Sequence, residues 1–508
     1  MSQSGIDKGH FYKSQLTSRA FIGMSLFMLW FILIYYFRFK YTSPFAGSWD
    51  EVDFALALDR FDLLAMQPHF PGYPYFILGG KIVHQWIGNP ALSLSLFNAA
   101  MNLLSCIPIY LLARKQLSPL LSLLATLVIQ SLIFTWLLTA QPMSEAAAIS
   151  LLWWFIWSIQ YALDRNVLWA QIIPLFCFSL LMGVRLSYFI VGVGLIYLWV
   201  MDWRRRPDHR FMRLLTMILL AALFQLIWIA GLVMSEGSIQ GFITLSISFV
   251  SGHFQEWGGS VNTSSGGWLE RLVQLLWLNM FWSGLSGRST GIASGIGLLI
   301  AVGIIGRFLL PGRTNQYRKH TGLWILLSVV LYGVYAFLAQ NIDKPRHRAP
   351  FAVIGFFLFM KYLLQIKGPL FITRGMMVLV VLLTLYQSFA GIQLVKELST
   401  KPPAVYQLAD HLEHRNGHFI IYTWEESRVM DFLKVPYSYK RVFTYEYFLQ
   451  EAISRGPQRI YLTNHVLQGF DIQGINIRHQ VTEVGAFHSN PLADPLYNKI
   501  ILYEWNNK

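Results

Sequence analysis

The stretch SWDEVDFALALDRFDLLAMQPHFPGYP, residues 48–74, gathers Asp50, Glu51, Asp53, Asp59 and Asp62 and sets His69 among three prolines. Carboxylates in this pattern accept protons or hold a divalent cation. Ser48-x-x-Glu51 has the form of a capping box, so a helix is predicted to start there. Asp50 falls in its first turn, where the partial positive charge of the helix end keeps a carboxylate ionised. Asp50 is therefore the candidate base. Glu51 shares that chemistry or completes the cap. Asp53, Asp59 and Asp62 are expected on the wet face of a helix lying against a membrane surface. Pro68, Pro71 and Pro74 prevent its continuation, which leaves His69 on a stiff turn as a second candidate catalytic group.

The elements that must position these groups are membrane helices. Of 508 residues, 55% are hydrophobic and only 13% charged, against about 25% charged in soluble domains. The net charge of +14 is not a nucleic-acid signature here, because Lys and Arg gather in loops beside apolar spans, as cytoplasmic retention requires. Cys106 and Cys177 lie inside apolar segments, so neither a disulfide framework nor a zinc site is suggested. Spans of roughly 20 apolar residues are expected at 20–37, 91–113, 118–139, 143–163, 167–183, 186–202, 211–234, 289–309, 321–339, 350–364 and 372–394. The first is read as a retained helix and not as a signal peptide. Residues 72–88 and 268–286 are read as partial or surface helices. That choice places Lys8, Lys13, Arg19, Arg114, Lys115, the run RRRPDHR (204–210), RTNQYRKH (313–320), Lys367 and Arg374 on the cytoplasmic face. The expected fold is an all-α polytopic membrane protein of eleven crossings. Its N-terminus is cytoplasmic and its C-terminus lies outside. Residues 1–396 form the membrane domain. Residues 397–508, with β-rich runs HFIIYTW (418–424), RIYLTNH (459–465) and KIILYEW (499–505), form a small soluble α/β domain.

Several further charges lie on the expected outer face or within the membrane, where an ionisable group is a functional-site hypothesis. Arg185 sits in LLMGVRLSYF between two spans, and Lys344, Arg346 and Arg348 sit in DKPRHRAP just before another. Snorkelling is the alternative for each. Arginine forks suit phosphate oxygens, so an anionic lipid headgroup is the expected ligand. Glu145, in QPMSEAAAISLLWW, stands at the outer end of a span, where Ser144 could cap the helix. The loop 235–288 contains SGHFQEWGGSVNTSSGG, whose His253, Glu256 and Trp257 are candidates for an acceptor site or a moving lid. Asn262-Thr263-Ser264 has a glycosylation-acceptor pattern too common to use.

A first outer loop with Asp-Glu soon after the first span, followed by HFPGYP (69–74), resembles the GT-C superfamily of membrane glycosyltransferases, such as protein O-mannosyltransferases and the aminoarabinose transferases of lipid A. Phe70 replaces one proline of the family's motif. The resemblance covers roughly residues 15–395 and implies a plasma-membrane enzyme of the cell envelope. It would move a hexosyl or pentosyl group from a polyprenyl-phosphate donor to a glycan, lipid or protein acceptor outside the cytoplasm, inverting the anomeric carbon. It further implies that Arg185 and Arg346, with Arg348 as the alternative to Arg346, contact the donor phosphate. Glu145 would face the first-loop carboxylate to bind a metal or orient a substrate. A divalent ion, Mg2+ or Mn2+, is expected only if Asp50 and Glu145 converge. The rival from another class is a transporter or flippase of a lipid-linked substrate; paired repeats or broken midplane helices would favour it, and none is seen. A scaffold role for the tail leaves the arginines and the Asp-Glu loop without a purpose.

Overall fold

The computed structural model describes residues 4–165, 167–261, 267–309, 319–366, 369–454 and 458–506. Arg313, Arg318, Lys367 and the 262–264 pattern lie outside the described residues, as do the side chains of Lys8, Lys13, Arg19 and Trp257. The chain opens with α1 (Ser4–Lys40), α2 (Trp49–Asp59), α3 (Pro74–His84), α4 (Pro90–Arg114), α5 (Pro119–Ser131) and α6 (Ile133–Ala140). It continues with α7 (Glu145–Arg165), α8 (Ile172–Val184), α9 (Val193–Arg205), α10 (Arg210–Glu236) and α11 (Ile239–Gly252). After α12 (Trp268–Val273) come α13 (Thr290–Leu309), α14 (Lys319–Ala339), α15 (Ala349–Leu363) and α16 (Leu370–Thr400).

Among the described residues seven helices are long and apolar enough to cross a membrane, or up to nine if each of two bent pairs counts as one span. The expected count of eleven is not reached. Residues 118–139 and 289–309 qualify only as parts of bent pairs, and α8 and α15 are shorter than a full crossing. Residues 72–88 yield only the 11-residue α3, as expected of a partial helix.

Local sequence explains the starts and breaks. Asn89 and Ser118 each accept a hydrogen bond from the first turn of the helix they precede, and proline follows both caps. The α5–α6 pair bends by 58° at Leu132. Such a break frees carbonyls that lipid cannot satisfy. Thr135 donates to the Ile129 carbonyl at 2.9 Å, and Arg38 donates to the Gln130 carbonyl at 2.7 Å. Arg38 is fully buried, also bonds the Asn102 side chain at 2.5 Å, and lies over the Trp136 ring. A buried cation thus ties α1 and α4 to the break.

The tail contains α17 (Ala404–Glu413), α18 (Glu426–Leu433), α19 (Tyr445–Ser454) and α20 (Asn464–Ile472) around a five-stranded sheet. The three β-rich runs become β1 (Phe419–Thr423), β3 (Arg459–Thr463) and β5 (Lys499–Trp505). Two further strands, β2 (Ser438–Arg441) and β4 (Val481–His488), form the edges in the order β2-β1-β3-β5-β4. Both are only partly buried, so their polar sequences carry little strand signal. β1 runs parallel to β2 and β3, and β5 antiparallel to β3 and β4.

This tail does not hang free. Ala46, Val52 and Ala55 share one core with Val405, Leu408, Ile421 and Met430, so α2 lies between the helical bundle and the tail. The wet-face expectation is corrected for Asp53, which is fully buried under α18, whereas Asp59 remains exposed and Asp62 pairs with Arg60.

Candidate active site

The capping box at Ser48 forms as predicted. Glu51 accepts hydrogen bonds from the Gly47 and Ser48 amides at 2.8 and 3.2 Å. It is also within 3.3 Å of the Gln141 amide nitrogen. Burial pushes its carboxyl up to about 7, against the backbone bonds that favour ionisation. Oε2 thus completes the cap, as expected of a helix-starting glutamate, and Oε1 faces Gln141.

Asp50, one residue earlier, faces the ion cluster. Arg346 donates to its Oδ2 at 2.5 Å and Lys344 to the same oxygen at 3.3 Å. Burial raises the Asp50 carboxyl, but Lys344, Arg346 and His69 together prevail and hold it well below the usual carboxylate range. Its side chain keeps 25% of its surface open, so a solute can reach it.

Arg346 also places its Nε 3.0 Å from Glu145 Oε1, and Arg185 reaches the same oxygen at 3.2 Å while donating to Ser144 Oγ at 2.9 Å. Glu145 is fully buried as the first residue of α7, and neither of its oxygens accepts a directed hydrogen bond. Its pairing is Coulombic, with hydrogen-bond capacity left over. Ser144, expected as a cap, serves Arg185 with its hydroxyl instead.

Each charged member sits at an element end. Asp50 and Glu145 occupy first turns, Arg185 the extended residue after α8, and Arg346 a 3-10 turn (Pro345–Arg348) before α15. That turn is pinned from several sides. Asn279 donates to the Ile342 carbonyl at 2.6 Å, Gln274 to Asp343 at 3.0 Å, and Tyr332 to the His347 carbonyl at 3.0 Å. Arg348, the expected alternative to Arg346, turns away and donates to the Asn341 carbonyl at 2.8 Å. Two residues of a 3-10 turn separate the two arginines and point them to different sides, so only Arg346 faces the carboxylates. His253 bonds the Ala339 carbonyl at 2.9 Å and Glu256 is exposed, so the ion cluster is closed without either.

His69 does not contact Asp50 directly. Its Nδ1 lies 3.1 Å from Asp53 Oδ2 and its Nε2 3.1 Å from the Tyr73 hydroxyl. Asp53 in turn accepts from Arg428 of α18 at 2.8 Å, and Arg428 also reaches the Ala65 and Met66 carbonyls. Tyr73 stands in the field of Arg185, Asp50 and Glu145. A chain of polar contacts thus runs from the tail through Asp53 and His69 to Tyr73, whose hydroxyl lies in the field of the ion cluster. Sequence reasoning missed Asp53, Tyr73 and Arg428. Tyr73 belongs to the same HFPGYP turn as His69, and Asp53 follows Asp50 by three residues on one helix; Arg428 carries no sequence signal of its own.

The residues do not fit a divalent ion. Arg346 stands between Asp50 and Glu145 as their shared cation, and no group of three or more His, Cys, Asp or Glu side chains able to hold a metal occurs among the described residues.

No protein-family model matches the chain, and no curated protein matches its sequence. Solved structures do. ArnT from Cupriavidus metallidurans bound to undecaprenyl phosphate matches at a TM-score of 0.56 and 10% identity over 95% of this chain and 97% of that one. Its apo state matches at 0.55 with the same identity and coverage. The Archaeoglobus fulgidus oligosaccharyltransferase matches at 0.49 and 12% identity, over 87% of this chain and 69% of that one. The ArnT likeness shows the fold: a bundle of apolar helices followed by a small C-terminal sheet domain, shared with that membrane glycosyltransferase structure over nearly the whole chain.

Proposed function

We propose that this chain is an integral-membrane glycosyltransferase that moves a sugar from a polyprenyl-phosphate donor to an acceptor on the extracytoplasmic side. The observation that carries the reading is Arg346 bridging Asp50 and Glu145, with Lys344 and Arg185 beside it. Two carboxylates here face three cations, which leaves one positive charge uncompensated, and Lys344 and Asp50 remain partly open. Such a cluster suits a phosphate that competes with the carboxylates for the cations. Tyr332 ties the Arg346 turn to the helical bundle by donating to the His347 carbonyl. ArnT, of the same fold, was solved with undecaprenyl phosphate bound, which supports a donor of this class.

The reaction follows from these parts. An acceptor hydroxyl oxygen attacks the anomeric carbon, the bond from that carbon to the phosphate oxygen breaks, and the electron pair leaves with the phosphate. Arg346, Lys344 and Arg185 stabilise the growing charge, the electrostatic contribution that usually dominates. Asp50 takes the acceptor proton. In the resting cluster two cations hold Asp50 ionised and weakly basic. A phosphate that draws hydrogen bonds from Lys344 and Arg346 weakens that hold, so the proton affinity of Asp50 rises when a base is needed. Attack from the face opposite the phosphate inverts the anomeric centre.

The test is a purified chain in lipid nanodiscs, given a panel of undecaprenyl-phosphate sugars. Asp50→Asn is expected to lower transfer by about 10²–10⁴-fold, the usual worth of a general base, with donor binding retained. Movement of the lipid-linked sugar between leaflets, unaffected by Asp50→Asn and without release of undecaprenyl phosphate, would establish a flippase instead.

A further inference from the structure

The end of the bundle away from the ion cluster carries a basic face that the mechanism does not use. α7 begins at Glu145 in the cluster and ends at Arg165 after 21 residues, roughly 30 Å along a helix axis. α9 likewise leads away from Arg185 and ends at Arg205, just before the short turn to α10 at Arg210. Arg205 donates to the Leu163 carbonyl at 2.9 Å, so the ends of α7 and α9 lie side by side. Arg165, Arg204, Arg205 and Arg210 are exposed there, and Arg206 is half-buried. Asp202 is committed to Arg213 at 2.6 Å and Asp164 to Lys115, which leaves Asp208 as the carboxylate of these segments that is not already paired among the described residues.

Retention on one side of a membrane needs charge alone; this face has geometry as well. Asp202 accepts from Arg213 through both oxygens and from Gln171, the residue before α8, at 2.7 Å. That knot ties the base of the turn to α10 and to α8. Within the turn His209 holds the left-handed region at φ 52°, a conformation that costs a non-glycine residue. Arg210 lies over the Trp203 ring at 4.8 Å and Arg165 over the Tyr161 ring at 5.4 Å, so these guanidinium planes are oriented. Apolar stripes without protein cover continue from the arginines: Ile196 and Val200 one turn apart on α9, Phe211 and Leu215 one turn apart on α10. Arginine forks suit phosphate oxygens, and the adjoining stripes suit acyl chains. A nucleic acid would use the forks and leave the stripes bare.

We propose that this end of the bundle binds an anionic phospholipid of the leaflet opposite the ion cluster. Its phosphate sits on Arg204, Arg206 and Arg210, and its acyl chains lie along the exposed stripes of α9 and α10. The site is separate from the ion cluster and does not depend on the sugar-transfer reading.

The experiment is native mass spectrometry of the full chain in detergent, titrated with dioleoyl-phosphatidylglycerol or with dioleoyl-phosphatidylcholine. The parent chain is expected to prefer phosphatidylglycerol. Arg204→Gln/Arg206→Gln/Arg210→Gln is expected to weaken its binding by about fivefold for each arginine, the worth of one basic residue beside an anionic surface, and to leave phosphatidylcholine binding unchanged. Arg204→Lys/Arg206→Lys/Arg210→Lys keeps the charge and loses the forks, and it is expected to bind phosphatidylglycerol more weakly than the parent chain. Arg204→Gln alone, at an exposed side chain, is expected to cost about fivefold and decides the matter if the triple variants do not fold. Equal binding of the two lipids, a preference that survives the glutamine variants, or lysine variants that match the parent chain overturn the site. Displacement of phosphatidylglycerol by an equal concentration of glycerol phosphate, or tighter binding of a short oligoribonucleotide, overturns it too.

Discussion

Arg346 holds Asp50 through one nitrogen and Glu145 through another, a geometry that a planar guanidinium permits and a single ammonium does not. Arg346→Lys keeps the charge and loses the bridge. Turnover is expected to fall by about 10²-fold or more, the scale of losing one preorganised donor to a developing oxyanion, while Arg348→Lys changes turnover little. Steady-state rates of both variants with one donor check this. Glu51 makes a different prediction. Its folded-state pKa is raised to about 7 from 4.5, so the folded protein binds a proton that the unfolded chain releases. The stability this contributes is full below pH 4.5 and is lost as pH rises through 7. The melting temperature in detergent is expected to fall over that window, and Glu51→Gln, which retains a cap acceptor, to flatten the fall.

The element that matters most is α2. Its first turn supplies Asp50 and its second the buried Asp53, which is held by Arg428 of α18 on one side and His69 on the other. Arg428→Met leaves Asp53 buried and half-paired, and removing one partner of such a pair costs about 3–5 kcal/mol. A large drop in melting temperature is expected, with part of it recovered in Asp53→Asn/Arg428→Met, where no charge is stranded. Thermal unfolding of the two variants measures the difference. His69 works at the same scale. It sits between Asp53 and Tyr73, and Phe54 and Phe249 flank its ring, so it sets the orientation of the HFPGYP turn. His69 thus holds Tyr73, whose hydroxyl lies in the field of the ion cluster.

At the scale of the whole molecule, bundle and tail fold as one unit. The tail core runs into Ala46, Val52 and Ala55, and Gln141 donates to the Ala493 carbonyl across the interface. Deleting residues 404–508 exposes that apolar face of α2 and leaves Asp53 without Arg428. The truncated protein is expected to aggregate or lose undecaprenyl phosphate binding, as size-exclusion profiles and fluorescence quenching would report. A truncated chain that stays monodisperse and binds normally would show that the shared core is dispensable.

Membrane character, the start of α2 at Ser48 and the β-rich cores of the tail were legible in the residues. Each follows from local rules: apolar length, a capping side chain, β-branched and aromatic runs; the position of the α2 end at Asp59, with eight residues between it and Pro68, was not. Asp50, Arg185, Glu145 and Arg346 were also legible as candidates, because a charge beside an apolar span is costly unless it has a partner. Which charges are partners was not. Arg346 and Arg348 differ by two positions in the same motif, and only the pinning of the turn by Asn279, Gln274 and Tyr332 decides which one faces Asp50. Asp53 read as solvated because its burial comes from a helix some 375 residues away in the chain. A continuous span was expected at 118–139 because hydropathy averages over a bend that Arg38 and Thr135 stabilise by satisfying freed carbonyls, whereas the expected span at 289–309 is one unbroken helix, Thr290–Leu309. Local sequence determined where elements begin and which residues bear charge; contacts between distant segments decided which charges meet.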